Sequence, residues 1–462
     1  HVLQRAGVGP GDRVAVQAEK SWPAVVLYLG CLRAGAVYLP LNPAYTPAEV
    51  GYFLRDAEPV VFVCSPERRD DLVPVVAAAG VARLETMGHE GRGSLLEAAN
   101  AAPPECVEVE RDGGDLAALL YTSGTTGRSK GAMLTHDNLR SNALALVECW
   151  RFTADDVLVH ALPIFHTHGL FVATNVVLLS GGSMIFLPTF DAGQVLAALG
   201  RATALMGVPT FYTRLLAQPG LTAEAVAGVR LFVSGSAPLL AETHQAWSAR
   251  TGHAILERYG MTETNMSTSN PYDGERRPGT VGFPLPGVEV RVVDPESGAI
   301  VGPGRIGGLE VRGPNVFAGY WRQPEKTAED LRPDGFFVTG DLVEIDDDGY
   351  VHIVGRAKDL IISGGLNVYP KEVEDVIDAL PGVAESAVFG VPHPDFGEAV
   401  VAAVVPRADG AVDGPSVLAG LDGRLARFKQ PKAVFVVHEL PRNAMAKVQK
   451  SALRDEYGAT FE

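Results

Sequence analysis

The chain has 462 residues, which is long for a single hydrophobic core, so we expect two or more domains. Its hydrophobic fraction of 47% and charged fraction of 20% are ordinary for a soluble globular protein. The formal net charge of −16 argues against a nucleic acid or an anionic membrane as the main partner, so an anionic substrate would need local positive charge.

The first part of the chain, to about residue 260, alternates apolar runs of strand length with helical stretches. Runs such as "RVAVQA", "PVVFVCS", "SMIFLP" and "VRLFVSG" predict strands, and "PAVVLYLGCLRAG" and "LLAETHQAWSART" predict helices. This alternation is typical of α/β layers with largely parallel strands. The chain begins at His1 inside a predicted helix, so we expect a further N-terminal segment before it.

The texture changes twice after that. From about 279 to 356, closely spaced strands with Gly/Pro turns predict a small antiparallel β-barrel or sheet. Beyond Arg356, helical and strand patterns alternate in a short tail that fits a small α+β domain. We therefore expect a large α/β N-terminal domain over residues 1–357 and a small C-terminal domain over 358–462.

The four cysteines are far apart and form no C-x-x-C pair, so we interpret them as reduced core thiols: Cys31, Cys64, Cys106 and Cys149. No uninterrupted apolar run reaches the length of a membrane span, and no charged and then apolar leader opens the chain. We expect a cytoplasmic protein.

The segment 121–131, "YTSGTTGRSKG", lies between a strand-like run, "DLAALL", and a helical one, "HDNLRSNALALVECW". We interpret it as a strand-to-helix loop. Its glycines let backbone N–H groups turn inward, its hydroxyls add donors and Lys130 adds a charge, which together suit phosphate oxygens. The spacing differs from that of a P-loop, and a flexible linker is the alternative.

Two later motifs also suit a nucleotide. "SGSAPL" follows a predicted strand and precedes a helix, at the strand end where ligands of α/β sheets bind. "ERYGMTET" places Tyr259, Thr262 and Glu263 in one predicted loop, where a ring could cover a base, a hydroxyl meet a phosphate and a carboxylate bind Mg²⁺.

A further pair of residues could hold a ribose. "FFVTGDL" places Asp341 after a predicted strand, and Arg356 ends the barrel-like region. A carboxylate and a guanidinium could bind the two ribose hydroxyls, whereas the alternative is a turn aspartate and a surface arginine. The "SGG" segment that follows allows close backbone approach to an extended ligand.

Taken in order, "YTSGTTGRSKG", "SGSAP", "YGMTE", "TGD", "GRAKDLIISGG" and "PRNAMAK" resemble the adenylate-forming superfamily of acyl-CoA synthetases, luciferases and adenylation domains. The resemblance spans almost the whole chain. It implies an N-terminal domain that binds ATP and a carboxylate, and a C-terminal domain that rotates about a hinge between two half-reactions. ATP, Mg²⁺ and coenzyme A are the implied cofactor and co-substrates.

The resemblance also implies roles for individual residues. The phosphates of ATP would be held by Thr122, Ser123, Thr125, Thr126 and Lys130. Adenine would be lined by Gly235, Ser236, Ala237 and Tyr259.

The remaining implied roles concern catalysis and domain rotation. Thr262 would contact the α-phosphate, Glu263 would bind Mg²⁺, and Lys447 would bridge the carboxylate and the α-phosphate. Asp341 and Arg356 would bind the ribose, and Lys358 would be the hinge. Gly364 and Gly365 would allow the approach of coenzyme A.

The carboxylic acid is indicated by two segments, "LPIFHTHGLF" and "NPYDGERRPG". Histidines and arginines are poor walls for an alkyl chain, because their burial without partners is costly, but they suit a second carboxylate. These segments, with "VPTFYTRLL", resemble the malonyl-CoA synthetase family. That resemblance implies that His168 and Arg276 hold the distal carboxylate, with His166 and Arg277 as alternatives.

The sequence therefore predicts an ATP-dependent ligase that makes malonyl-CoA and releases AMP and pyrophosphate, with methylmalonate as a second candidate acid. The alternatives are a short-chain acyl-CoA synthetase, an adenylation enzyme that loads a carrier protein, and a non-catalytic nucleotide-sensing module. We expect small-molecule substrates and neither a nucleic-acid nor a membrane partner.

Overall fold

A computed structural model describes residues 1–89, 91–122, 129–364, 366–407, 412–443 and 447–461. Two seven-stranded sheets form the large N-terminal part. The spatial order of the first is Gly319–Tyr320, Lys130–Thr135, Leu116–Thr122, Val37–Pro40, Arg13–Gln17, Val61–Cys64 and Arg83–Thr86. The order of the second is Phe283–Pro284, Asn265–Ser269, Leu256–Met261, Leu231–Ser234, Ala204–Gly207, Val157–His160 and Ser183–Phe186.

Parallel pairing dominates both sheets, and antiparallel strands complete one edge of each. The α-helices of this part are Val2–Arg5, Trp22–Arg33, Pro47–Ala57, Arg69–Ala78, Ser94–Ala101, His136–Cys149, Asn175–Ser180, Ala192–Leu199, Pro209–Leu216, Ala241–Thr251 and Pro324–Asp330. Short 3₁₀ turns lie at Pro66–Arg68, Glu224–Val226 and Ala357–Asp359, and a π-helical turn at His168–Thr174. The layered α/β architecture predicted from the alternating pattern is confirmed.

The region predicted as a barrel or sheet is a four-stranded antiparallel sheet. Its strands, in order, are Glu289–Val293, Gly307–Arg312, Phe337–Ile345 and Val351–Arg356. The last two strands pair Asp341 opposite Arg356. Asp341 therefore lies within a nine-residue strand. The sequence prediction placed it after a strand, and the structure corrects this.

The C-terminal part is a small α+β unit. Its helices are Pro370–Asp378, Gly414–Leu421 and Lys450–Tyr457. Its strands are Leu366–Val368, Ile361–Ser363, Gly397–Pro406, Val383–His393 and Ala433–Val436, of which the third pairs with all but the first. Arg407 at the end of this sheet donates to the Glu242 carboxylate of the N-terminal part, at 2.7 and 2.9 Å.

The fold corrects the prediction of a strand-to-helix loop at residues 121–131. The loop after Leu116–Thr122 leads into a second strand, Lys130–Thr135, which pairs antiparallel with the first before the helix begins. Thr135 caps that helix reciprocally with Asn138, which fixes where it starts. The phosphate-loop segment thus joins two strands of a hairpin, and not a strand and a helix.

The cysteine prediction holds in part. All four thiols are free, but only Cys31 and Cys64 are buried, and Cys106 and Cys149 are half-buried. Within the described ranges, no helix combines the length and apolarity that a bilayer crossing requires.

Candidate active site

Three side chains meet where the second sheet faces the four-stranded sheet. Arg356 Nε lies 2.7 Å from Asp341 Oδ1, and the Tyr259 hydroxyl donates to the other carboxylate oxygen. Tyr259 is on the strand Leu256–Met261, and not in a loop as predicted. Burial raises the pKa of Asp341, which Arg356 opposes, and burial raises the pKa of Tyr259 further from neutrality. The result is a fixed carboxylate with hydrogen-bond acceptors available to a ligand's hydroxyl groups.

Glu263 lies in the turn after that strand and is only 5% exposed. The Tyr320 hydroxyl donates to Glu263 Oε1 at 3.1 Å, and Lys130 Nζ lies 4.3 Å from the centre of the Tyr320 ring. Burial raises the pKa of Glu263, while Lys130 and Arg356 lower it. Glu263 and Lys130 are thus brought together through Tyr320, although they are more than 130 residues apart.

Arg258 is a functional candidate that the sequence reasoning missed. It is 3% exposed, and its Nε and Nη2 atoms have no hydrogen-bond partner among the residues that the structure describes. Burial lowers its pKa to about 9, which still leaves a cation at neutral pH. Gly235 makes room for the guanidinium, because a Cβ there would lie 2.6 Å from Arg258 Cζ.

The strand pattern held a signal for this arginine. Successive side chains of a strand point to opposite faces, so Glu257 and Arg258 cannot pair with each other. In the structure Glu257 faces His244 Nδ1 at 3.3 Å, and Arg258 is left with no carboxylate partner in any of the described segments. A buried charge without a partner in the described structure, next to a buried charge that is paired, marks a candidate binding residue.

His168 stands beside Arg258. Its Nδ1 lies 3.2 Å from Ser236 Oγ, and its Nε2 is buried and unpartnered within the part of the chain that is described. Burial lowers the pKa of His168 well below its usual value, and Arg258 and His166 lower it further. If Nδ1 accepts from the Ser236 hydroxyl, the neutral imidazole carries its proton on Nε2, which is then a free donor.

His166 and Lys447 lie within electrostatic reach of each other and of Arg258. Burial lowers the pKa of His166 to about 3, and the charges of Lys447 and Arg258 contribute. Lys447 has an exposed surface, yet protein surrounds it on enough sides that desolvation lowers its pKa. Asp341 and Glu263 act in the opposite direction on Lys447, so this lysine lies within the field of both acidic residues.

Arg276 is held by the backbone. Its guanidinium donates to the carbonyl oxygens of Ala254 at 2.9 Å, Tyr272 at 3.0 Å and Pro271 at 3.3 Å. Three satisfied carbonyls leave it little capacity for a substrate, and they favour a structural role over the predicted contact with a carboxylate.

Arg277 is also occupied by the protein. It pairs with Asp346 at 2.9 Å and with Glu275 and Asp348 at 3.1 Å each. The alternative assignment to Arg277 is therefore no better supported than the one to Arg276.

The other predicted residues lie around this centre or outside the description. Thr122 ends its strand, with its hydroxyl 3.5 Å from the Lys130 carbonyl. Thr262 is 8% exposed, in the turn before Glu263. The loop residues Ser123, Thr125 and Thr126, together with Gly365, lie outside the residues that the structure describes.

The turn after Leu231–Ser234 lies between a strand and a helix, as the sequence predicts. Ser236 has a φ of +71°, and Ala237 follows it, half-buried, before the helix Ala241–Thr251. Lys358 is exposed in the short turn after Arg356. Gly364, at φ +58°, forms the turn that precedes Leu366–Val368.

Models of two families match this chain. That of the AMP-binding enzymes matches residues 1–321, and that of the AMP-binding enzyme C-terminal domain matches residues 372–447. The chain belongs to the AMP-binding enzyme family. The adenylate-forming resemblance of the sequence motifs is thereby confirmed.

Among curated members of this AMP-binding family, the chain is 39% identical to a feruloyl-CoA synthase of Amycolatopsis sp, over 99% of this chain and 91% of the relative. It is 36% identical to a mitochondrial malonate–CoA ligase of Bos taurus, over 96% of this chain and 81% of the relative.

The structural comparison is with ATP-bound MatB from Rhodopseudomonas palustris. That structure superposes with a TM-score of 0.98 at 62% identity, covering 100% of this chain and 92% of MatB. The apo form of the same enzyme superposes with a TM-score of 0.85. The chain as a whole is therefore more similar to the ATP-bound structure than to the apo structure.

Proposed function

We propose that this protein is an ATP- and Mg²⁺-dependent ligase that joins malonate to coenzyme A through a malonyl-adenylate. In the first step a malonate oxygen attacks the α-phosphorus of ATP and pyrophosphate leaves. In the second step the thiol of coenzyme A attacks the acyl carbon, AMP leaves and a proton is released. Methylmalonate is a second candidate acid.

The observation that carries this proposal is the buried, unpartnered guanidinium of Arg258. A desolvated cation without a partner is unfavourable, so the pocket is complete only when an anion enters it. A carboxylate can accept from Nε and Nη2 of Arg258 together, and from His168 Nε2. We therefore assign the distal carboxylate of malonate to Arg258 and His168, with His166 nearby, in place of Arg276.

The same pocket favours malonate over an aromatic monocarboxylate such as ferulate. The relative with 39% identity is named a feruloyl-CoA synthase, whereas the malonate–CoA ligase has 36% identity, so overall identity does not separate the two acids. An aromatic monocarboxylate would leave Arg258 and His168 desolvated and unpaired. A dicarboxylate satisfies both.

The ATP site follows from the other cluster. Asp341, fixed by Arg356 and Tyr259, would accept from the ribose hydroxyls. Lys130 and the segment from Thr122 to Thr126 would bind the phosphates, as the motif implies. The backbone from Gly235 to Ala237 would line adenine, while the Ser236 hydroxyl faces His168 in the acid pocket.

Glu263 is the side chain that would hold Mg²⁺. The described residues contain no group of three or more side chains placed to bind a metal, so the other ligands would be phosphate oxygens and water, as is usual for Mg²⁺. The ion would offset phosphate charge during attack by an anionic nucleophile. Thr262 adjoins Glu263 and would contact the α-phosphate.

Lys447 would act in the first step only. It stands in the field of Asp341 and Glu263 in this arrangement, between the acid pocket and the nucleotide site, where an ammonium stabilises charge on the α-phosphate. Rotation of residues 358–462 about Lys358 would then withdraw it and bring the turn at Gly364 to the coenzyme A side. Four free thiols fit a reducing compartment, and we propose the cytoplasm.

Pyrophosphate release with acetate, propionate, malonate, methylmalonate, succinate and ferulate tests this function. We expect malonate to have the highest kcat/KM, with monocarboxylates far below it. Equal or greater kcat/KM with ferulate or propionate would overturn the assignment of the acid.

A further inference from the structure

A buried lysine lies behind the acid pocket. Lys20 is 8% exposed, and its Nζ lies 2.9 Å from His160 Nδ1 and 2.7 Å from the His160 carbonyl oxygen. It forms no ion pair within the described ranges, and its Nζ lies 4.3 Å from the centre of the Phe186 ring. Burial lowers the pKa of Lys20 to about 6, because its surroundings disfavour the charged ammonium.

The proton positions of this cluster follow from its partners. His160 Nε2 lies 2.9 Å from the carbonyl oxygen of Gly169, which can only accept, so Nε2 carries the proton. Nδ1 is then bare and accepts from Lys20. The Thr174 hydroxyl donates to the same Gly169 carbonyl at 2.9 Å. Lys20 thus selects the His160 tautomer that binds Gly169.

Gly169 belongs to the turn that presents His168. The π-helical turn His168–Thr174 begins at His168, and such turns are frequent at functional sites. Any side chain at Gly169 is excluded, because a Cβ would lie 2.0 Å from the Pro163 carbonyl oxygen. His168, Gly169, His160 and Thr174 are all buried, so this network lies away from water.

We propose that Lys20 and His160 are positioning residues that hold the turn at Gly169 and thereby aim His168 Nε2 at the distal carboxylate of the acid. This inference rests on the proposed acid pocket. Within the described residues, neither Lys20 nor His160 has a hydrogen bond or ion pair to Arg258, so the effect passes through His168. Their loss should weaken discrimination for the dicarboxylate more than it weakens catalysis.

A matched pair of substitutions at His160 separates positioning from packing. In His160→Gln the amide nitrogen reaches the place of Nε2 and can still donate to Gly169. In His160→Asn the amide reaches only the place of Nδ1, so it keeps the contact with Lys20 and loses that with Gly169. Steady-state kcat/KM for malonate and propionate, with melting temperatures, should be measured for both and for Lys20→Met.

We expect the ratio of kcat/KM for malonate to that for propionate to fall about tenfold in His160→Asn and Lys20→Met, the effect of one lost buried hydrogen bond. His160→Gln should retain most of the ratio. An unchanged ratio in all three variants, or parallel losses for both acids that track the melting temperature, would overturn the inference.

Thr174→Val serves if the His160 variants do not fold, because it removes one donor to Gly169 while keeping the side-chain shape. A reduced ratio supports the inference, and an unchanged ratio overturns it. If the wild-type enzyme shows no preference for malonate, the proposed function itself is overturned. If the wild type prefers malonate and the variants keep the same preference, only the positioning role is overturned.

Discussion

A Cβ on residue 235 would lie 2.6 Å from Cζ of Arg258, so the glycine and the buried guanidinium occupy adjoining space in the acid pocket. Gly235 does not have a positive φ, so this position needs glycine for space and not for backbone freedom. The clash is with the end of a flexible side chain. A methyl group would therefore displace the guanidinium while the fold persists.

Gly235→Ala should lower kcat/KM for malonate about tenfold or more, the effect of misplacing a charged hydrogen-bond donor, and should affect propionate much less. Kinetics with both acids measure this. Gly30→Ala is the control, because nothing lies within 4 Å of its added Cβ in the helix Trp22–Arg33. A parallel loss for both acids in Gly235→Ala would assign the glycine to the adenine side alone.

Lys447→Ala should abolish adenylate formation, with a loss of about 100-fold or more in pyrophosphate exchange, because one preorganised cation at the developing charge is removed. Formation of the thioester from preformed malonyl-adenylate and coenzyme A should survive. A similar loss in both half-reactions would contradict a role confined to the first step.

Asp341→Asn should weaken ATP binding by removing the charged acceptor for the ribose hydroxyls. The penalty for replacing ATP by 2′-deoxy-ATP should shrink in this variant, because the missing hydroxyl no longer has its full partner. The measurement is KM for ATP and for 2′-deoxy-ATP, each with the wild type and with Asp341→Asn, which together form a double-mutant cycle. Additive effects would place Asp341 away from the ribose.

Asp378 gives a prediction for stability against pH. Burial raises its pKa to about 7, and its Oδ1 has no partner in the described part of the chain. The folded state therefore binds more protons than the unfolded state between pH 4 and pH 7, and the free energy of unfolding falls as pH rises through that window.

Asp378→Asn removes that charge, so we expect it to be more stable than wild type at pH 8 by about 1–2 kcal/mol, reduced for partial exposure. The difference should shrink at pH 5. Melting curves at both pH values measure it, and a gain that does not depend on pH would contradict the titration of Asp378.

The sequence predicted the layered fold because parallel strands buried on both faces are continuous apolar runs, as in the strand Leu231–Ser234. The sequence analysis missed the strand Lys130–Thr135, because Lys130 and Gly131 are not typical strand residues. The partner of this strand, Leu116–Thr122, lies on the other side of the phosphate loop. Only the fold shows that the hairpin closes there.

The candidate nucleotide residues could be proposed from the sequence because they stand in short, ordered motifs. The proposal of Arg258 could not come from the sequence, because only tertiary packing shows that Arg276 donates to backbone carbonyls while Nε and Nη2 of Arg258 have no partner among the described residues. The tautomer of His160 likewise depends on Lys20, which is 140 residues away. Motifs report local chemistry, whereas pairing across the fold decides which charges remain free.

The central claim, that a second carboxylate meets Arg258, is tested most directly by Arg258→Met with malonate and propionate as substrates. Arg276→Met is the matched control, since that guanidinium is bound to three backbone carbonyls. We expect kcat/KM for malonate to fall by about 100-fold or more in Arg258→Met, from a loss of about 3–5 kcal/mol when the distal carboxylate has no partner. Propionate should keep or gain activity, and Arg276→Met should leave the ratio of the two acids unchanged. Parallel losses for both acids in Arg258→Met, or a malonate-specific loss in Arg276→Met alone, would contradict the account.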